Sequence, residues 1–223
     1  TPKVITVNND TLITPVNTIS PRIVSSPIGY KGRIDFLCVF GEGSAIFDGT
    51  GDNLNIPTSS DWNFGTGDWT LEGWVRFNAN GSTTALITVQ GTAAGITLAV
   101  NDIGGVAGFH IYVVGTEYYT SHAYDRLLYT WYHFAGVRSG NNLYFWINGT
   151  KNGNTEDITG KNITGNTLGV YIASITSSAN YLTAMADNIR ISNVARYTAV
   201  FNPPTEDITF GATGNFNALL ALL

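Results

Sequence analysis

Charged residues and cysteine are both scarce in this sequence. Lys, Arg, Asp and Glu together make up 12% of the chain, and a net charge of −5 is spread along it without a block of either sign. Proteins that bind nucleic acid neutralise phosphates with clustered Lys and Arg, so the composition predicts no nucleic-acid partner. The one cysteine, Cys38, lies in an apolar run, which predicts a buried thiol, with an interchain bridge as the alternative.

Long hydrophobic segments are also missing. No apolar run approaches the roughly 20 residues that a membrane-spanning helix needs, and no apolar stretch follows a basic region near the start of the sequence. We therefore expect no membrane insertion and no secretory signal. Runs of Ala, Leu, Glu and Lys that would build helices are scarce as well.

Residues that favour strands and tight turns are abundant. The chain has 25 Gly and 11 Tyr, together with many Thr and Asn. Residues 69–77 alternate with period two, which places Leu71 toward a core and Glu72 on the opposite face. Residues 143–147 are apolar on both faces and lead into Asn148-Gly149, a dipeptide well suited to a type I′ hairpin turn.

Strand-like segments of this kind recur between turn signals. They are residues 44–47, 69–77, 85–89, 96–100, 109–114, 131–138, 143–148, 167–172 and 186–192. Short strands at this spacing with little helix are typical of a β-sandwich. The sequence thus predicts an all-β fold, an antiparallel β-sandwich over residues 44–202, between an extended N-terminal arm (1–43) and an apolar C-terminal tail (203–223). The prolines of the arm permit short edge strands and forbid a central one.

Five segments of the predicted domain resemble, in order, the motifs of a known family. They are AIFDGTGDNL at 45–54, GDWTLEGWV at 67–75, WYHFA at 131–135, LYFWING at 143–149 and DNIRIS at 187–192. In order and spacing they are similar to the laminin-G-like, pentraxin-like jelly roll of the concanavalin A-like lectins. The resemblance covers about residues 44–202 and implies a jelly-roll sandwich that is a binding or structural module.

The next stretch, residues 193–205, resembles the variant of this domain found in bacteriophage structural and tail proteins. This resemblance implies a virion protein that displays a lectin-like jelly roll, as a capsid decoration or a tail or fibre component. The implied partners are other virion proteins or copies of itself, and cell-surface glycans. A free carbohydrate-binding lectin and a polysaccharide hydrolase are the alternatives.

Hydrolysis of a polysaccharide needs two carboxylates, roughly 5 to 9 Å apart, aimed into one cleft. Glu72 has no acidic residue two positions away on its own strand face. Glu156 and Asp157 are adjacent, so in a strand they would point in opposite directions. We therefore predict a protein without enzymatic activity.

Calcium is the ion that the sequence favours, because carboxylate, amide and carbonyl oxygens suit it and related jelly rolls often carry one. The first and last strands of such folds tend to be neighbours, which would bring Asp48 or Asp52 near Asp187. The alternative is that Asp48 caps a turn and Asp187 pairs with Arg190. Glu72 is a second candidate partner of Arg190. The histidines lack the spacing of a zinc site.

Four residues in or near one predicted loop are candidates for ligand binding. They are Tyr118, Tyr119, His122 and Tyr124. Loop side chains are free of packing, and aromatic rings beside Asn and Asp suit the apolar face and the hydroxyls of a sugar. The alternative is that these rings form a hydrophobic flank or a protein interface.

The C-terminal tail is strongly apolar and ends in four leucines within six residues. They are Leu219, Leu220, Leu222 and Leu223. Left in water, such a segment favours aggregation. We expect it to share a surface with the N-terminal arm or a neighbouring chain, so that residues 1–43 and 210–223 mediate assembly. The alternative is that the tail packs on its own domain.

Overall fold

The computed structural model describes the backbone of residues 6–8, 12–15, 43–79, 84–89, 95–103, 106–119, 127–164, 169–175, 180–205 and 216–220. Its regular structure consists of β-strands and one short 3-10 turn at Ser60–Trp62. The strands are β1 Thr6–Asn8, β2 Leu12–Pro15, β3 Gly43–Asp48, β4 Asn53–Ile56, β5 Trp69–Phe77, β6 Thr84–Val89, β7 Ile96–Ile103, β8 Val106–Val113, β9 Thr116–Tyr119, β10 Trp131–Ser139, β11 Asn142–Ile147, β12 Thr150–Lys151, β13 Glu156–Asp157, β14 Val170–Ile172, β15 Thr183–Ser192 and β16 Phe216–Leu220. Within these described parts of the chain, no helix is long and apolar enough to cross a membrane.

The strands form two antiparallel sheets that pack as a sandwich. A seven-stranded sheet has the order β1-β4-β14-β6-β7-β8-β9. A nine-stranded sheet has the order β12-β11-β10-β5-β15-β3-β2, with β13 paired to β11 and β16 paired to β15. The predicted all-β sandwich is therefore confirmed, and strands β3 and β15, from the two ends of the predicted domain, are neighbours as expected.

The arm and the tail both contribute strands. In the arm, β1 and β2 each occupy the edge of a sheet, where the loss of a backbone donor at proline is tolerated. In the tail, β16 pairs with β15 of the same chain, with Leu220 opposite Ile189. The described tail backbone thus follows the alternative of packing on its own domain. Cys38 lies outside the described residues.

The core lies between the sheets, where the period-two alternation of β5 predicted it. Trp69, Leu71 and Val75 are buried there, and Trp62 joins them. Strands β10 and β11 are covered on both faces, because a second apolar cluster built on Trp146 lies outside the nine-stranded sheet. At the end of β11, Asn148 and Gly149 have φ values of 48° and 76°, which fits the predicted type I′ turn.

A bulge in β15 decides which side chains reach the outer face of the nine-stranded sheet. Asp187 lies opposite Trp74, and Arg190 lies opposite Glu72. Between these two pairs β15 advances by three residues, whereas β5 advances by two. The extra residue shifts the alternation, so that Ile189 enters the core and Arg190 points outward with Glu72.

Candidate functional site

Glu72 on β5 is the centre of a buried cluster of ionisable side chains. From β15, Arg190 donates its Nε–H to Glu72 Oε1 at 2.6 Å. Tyr197 donates its hydroxyl to Glu72 Oε2 at 2.7 Å, and Nε2 of His133 on β10 lies 3.3 Å from the same oxygen. Arg196 adds a second guanidinium, with Nε 3.6 Å from Oε1. Glu72, and not Asp187, is therefore the partner of Arg190.

The electrostatics of the cluster favour an ionised Glu72 beside a neutral Tyr197. Burial by itself raises the pKa of the Glu72 carboxyl, but the hydrogen bond with His133 and the charge of Arg190 outweigh it, so that this pKa lies below its usual value. Burial and the charge of Glu72 raise the pKa of the Tyr197 phenol well above its usual value. At neutral pH the phenol thus donates to the carboxylate.

Residues 193–205, called the strap from here on, cross the outer face of the nine-stranded sheet after β15. Near its start, Thr70 donates its hydroxyl to the Val194 carbonyl at 2.8 Å and accepts the backbone N–H of Arg196 at 3.1 Å. Further along, the Phe201 N–H donates to the Gly149 carbonyl at 3.1 Å. The strap is thus anchored on β5 and on the hairpin turn between β11 and β12.

Two aromatic rings of the strap cover the cluster. Tyr197 and Phe201 stack with their centroids 3.6 Å apart and their planes 5° from parallel. Phe201 in turn packs edge-on against His133 at 5.8 Å and against Trp146 at 5.6 Å. The strap therefore closes a face that carries both charged and aromatic side chains.

A carboxylate, an imidazole and a phenol within hydrogen-bonding distance could move protons in a reaction, but this cluster has no access for a substrate. Glu72 is 0% exposed and His133 is 1% exposed. Both carboxylate oxygens are committed to partners within the chain. The geometry is that of a structural ion-pair network.

The outer face of the seven-stranded sheet carries a row of uncharged polar groups in register. Asn55 lies opposite Tyr171, Tyr171 opposite Thr88, Thr88 opposite Thr97, and Thr97 opposite Tyr112. The two threonines at the centre are fully buried, whereas Asn55 and the two tyrosines are partly exposed. The row therefore offers an amide and two phenols at the surface.

The four predicted ligand-binding residues are only partly within the described structure. Tyr118 on β9 is partly buried and packs against the core between the sheets, which fits the hydrophobic-flank alternative. Burial and the nearby Asp157 raise the pKa of its phenol. The backbone of Tyr119 lies opposite His110, and its side chain is not among the described ones. His122 and Tyr124 lie outside the described residues.

The predicted calcium ligands are divided between two places. The Asp48 N–H donates to Asp52 Oδ2 at 3.2 Å, and Asp48 Oδ1 accepts the Thr50 N–H at 2.6 Å, so Asp48 caps a turn. Because Thr183 is the residue opposite Asp48, Asp187 lies four residues further along β15, about 13 Å away at the usual rise of a strand. The described residues contain no group of three or more His, Cys, Asp or Glu side chains that could hold a metal ion.

Residues 48–199 match a laminin G-type family model described as the Concanavalin A-like lectin/glucanases superfamily. The chain belongs to this superfamily. No curated protein matches the sequence. The family match begins within β3 and ends inside the strap, so the concanavalin A-like unit includes Glu72 and all of its partners.

Solved structures with the same fold have low sequence identity to this concanavalin A-like chain. A protein of Bacteroides ovatus, described as a candidate carbohydrate binding protein, is 16% identical with a TM-score of 0.65, over 80% of this chain and 50% of that one. The receptor binding domain of botulinum neurotoxin C/D mosaic serotype is 10% identical with a TM-score of 0.58, over 87% and 44%. The binding domain of Paraclostridial Mosquitocidal Protein 1 is 14% identical with a TM-score of 0.58, over 87% and 45%. The chain thus spans about half the length of these structures.

Sequence reasoning missed the strap as a structural element of this concanavalin A-like chain. Tyr197 and Phe201 lie four residues apart just before a pair of prolines, a signal of an extended segment that buries two rings on one side. The spacing does not reveal the surface that receives them, because His133 and Trp146 come from two other strands.

Proposed function

We propose that this concanavalin A-like chain is a non-enzymatic glycan-binding protein that serves as an adhesion or structural component of a virion. The row on the seven-stranded sheet carries the glycan-binding part of the proposal. Its partly exposed members, Asn55, Tyr171 and Tyr112, are uncharged donors, acceptors and aromatic rings. Sugars present hydroxyls for such groups and an apolar ring face for stacking on an aromatic side chain.

The geometry of the row suits an extended glycan. Tyr171 and Tyr112 are separated by three strand spacings, which is about 14 Å at the usual distance between strands. On the side of Tyr112 the row leads to β9, after which the predicted ligand residues His122 and Tyr124 follow in the sequence. We propose that Tyr119, His122 and Tyr124 extend the same binding surface, with Tyr118 supporting it from the core side.

Binding is favoured over hydrolysis because Glu72, the residue that the hydrolase alternative would use, is inaccessible under the strap. Two of the similar folds are described as a candidate carbohydrate binding protein and a receptor binding domain, which agrees with a binding role. The virion setting is supported by the resemblance of residues 193–205 to bacteriophage structural and tail proteins.

Glycan-array binding tests the first part of the proposal. We expect the full chain to bind glycans, and we expect Tyr112→Ala and Tyr124→Ala each to weaken binding about two- to tenfold, the loss expected for one aromatic stacking partner. Tyr144→Ala, which removes a partly exposed tyrosine from the opposite sheet, is the matched control and should bind like the parent chain. Absence of binding to any glycan would overturn the proposal.

Two further measurements separate the alternatives. Release of reducing sugar from a polysaccharide, lost in Glu72→Gln, would identify a hydrolase. Purification of the native protein only within a large particle is expected for a virion component, whereas a free lectin would purify as a single chain or a small oligomer.

A further inference from the structure

The strap is fastened to the sheet at few points that carry charge. Besides its backbone contacts with Thr70 and Gly149 and its ring contacts, it reaches the buried carboxylate through Tyr197, at 2.7 Å, and Arg196, at 3.6 Å. Arg196 also donates to Ser192 Oγ at 2.8 Å. Tyr197 is therefore the strap residue whose ring stacks on Phe201 and whose hydroxyl binds the buried Glu72 carboxylate.

Two side chains that pack against the strap carry polar atoms without hydrogen-bond partners. Nδ1 of His133 and Nε1 of Trp146 are buried and have no hydrogen-bond partner among the described residues, and both rings lie against Phe201. A buried polar atom without a partner is unfavourable, because water would satisfy it in the open state. Opening the strap takes the Phe201 ring away from both side chains, and any hydrogen bond that water then makes to these atoms offsets part of the apolar contact that is lost.

We propose that the strap is a latched cover, held closed by the contact between Tyr197 and Glu72, and that loss of this contact opens residues 193–205 as a unit while the sandwich stays folded. Opening uncovers an aromatic face made by Trp146, His133 and Tyr144 on the nine-stranded sheet. This device is separate from the glycan-binding surface, which lies on the other sheet.

The sandwich keeps its own support when the latch is removed. Arg190 still pairs with Glu72 within the sheet, and β5 remains between β10 and β15. Opening removes the Tyr197 hydroxyl from Glu72 Oε2 and from Arg190, which donates to it at 3.1 Å, but it breaks no backbone pairing between strands, since Tyr197 belongs to neither sheet. The inference therefore predicts local opening that is distinct from global unfolding.

Trypsin can report this opening because the strap contains Arg196. In the closed state Arg196 is partly buried and bonded to Ser192, so cleavage after it requires an open strap. Arg138, which is 1% exposed in β10, reports global unfolding in the same digest. Mass spectrometry of the fragments separates the two cleavages.

The test compares Tyr197→Phe with Tyr144→Phe in the full chain at neutral pH. Tyr197→Phe keeps the stacked ring and removes only the latch hydroxyl, so cleavage after Arg196 should accelerate about tenfold or more, as expected for losing one hydrogen bond to a charged group, while cleavage after Arg138 stays slow. Tyr144→Phe removes a hydroxyl from the same sheet face and should leave both rates unchanged. Cleavage after Arg196 at the rate of the control, or only in step with Arg138, would overturn the latch.

Discussion

Individual residues in this concanavalin A-like chain owe their roles to partners far away in sequence. In the sequence, Glu72 is one glutamate on a strand face. In the fold it is surrounded by Arg190, His133 and Tyr197, which come from three other parts of the chain. A buried carboxylate without these partners would be strongly unfavourable. The cluster therefore makes the position of the strap and the ionisation of Glu72 depend on each other.

The lowered pKa of Glu72 predicts how stability depends on pH. Because the folded state binds the proton more weakly than the unfolded chain, this group stabilises the fold above the ordinary glutamate pKa of about 4.3, and its contribution is lost as the pH falls through the lower folded pKa. We expect Glu72→Gln to lower the free energy of unfolding at pH 7 by about 3 kcal/mol, with a difference that shrinks below about pH 4. Urea unfolding at several pH values measures it, and an equal difference at pH 7 and pH 3 would contradict the assignment.

Gly149 is predicted to be irreplaceable at the hairpin that anchors the strap. Its φ is 76°, and a Cβ there would collide with the Phe201 carbonyl oxygen. We expect Gly149→Ala to lower the free energy of unfolding by about 1 to 3 kcal/mol. We also expect it to speed cleavage by trypsin after Arg196. Gly140→Ala is the matched control, because Gly140 also has positive φ, at 59°, but nothing lies within 4 Å of its Cβ position. Equal effects of the two changes would show that only backbone strain matters.

At the scale of elements, a single inserted residue in β15 sets the chemistry of a sheet face. Without the bulge between Asp187 and Arg190, alternation would turn Arg190 into the core and Ile189 outward. Gly73 lies at the bulge, and a Cβ there would collide with the Ile189 side chain. The bulge and this glycine together allow Arg190 of β15 to pair with Glu72 of β5 on the outer face of the sheet.

The turn between β3 and β4 is where the calcium prediction can be tested. Asp48 and Asp52 share this turn and Asp187 does not. If calcium binds at the turn, a chelator should lower the thermal unfolding midpoint, and Asp52→Asn should abolish this sensitivity to chelator. Asp187→Asn, the matched control, should leave the calcium response unchanged. An identical midpoint with chelator and with calcium would show that the protein binds no stabilising calcium ion.

At the scale of the molecule, strands from both ends of the chain complete the two sheets. β1 and β2 extend one edge of each sheet, and β16 pairs with the half of β15 that β3 leaves open. Sheet edges that end in this way offer backbone groups to another chain as readily as to the same one. In this structure the chain's own arm and tail occupy these positions, and the proposed assembly would use the same edge pairing with another chain.

Deletion of residues 210–223 tests the proposed role of the tail in assembly. We expect the truncated chain to keep its β-sheet circular dichroism, because β15 remains paired with β5 and β3, and to lose assembly into an oligomer or particle by sedimentation. Normal assembly of the truncated chain would restrict the tail to its own domain.

Much of the fold could be predicted from the sequence because its signals are local. The alternation in residues 69–77, the apolar run of β11 and its Asn-Gly turn each follow from side-chain periodicity and backbone preference. Some short strands, namely β4, β9, β12 and β13, lie outside the predicted segments, because segments of two to four residues carry too little periodicity.

The sequence by itself determined the all-β sandwich, the core face of β5 and the membership of the concanavalin A-like superfamily, since these depend on patterns within single segments. Only the tertiary structure decided that Glu72, rather than Asp187, pairs with Arg190, that Asp187 lies far from Asp48, and that Tyr197 and Phe201 cover the sheet. Each of these depends on register between strands distant in the chain, and one bulge residue reverses the face of everything beyond it.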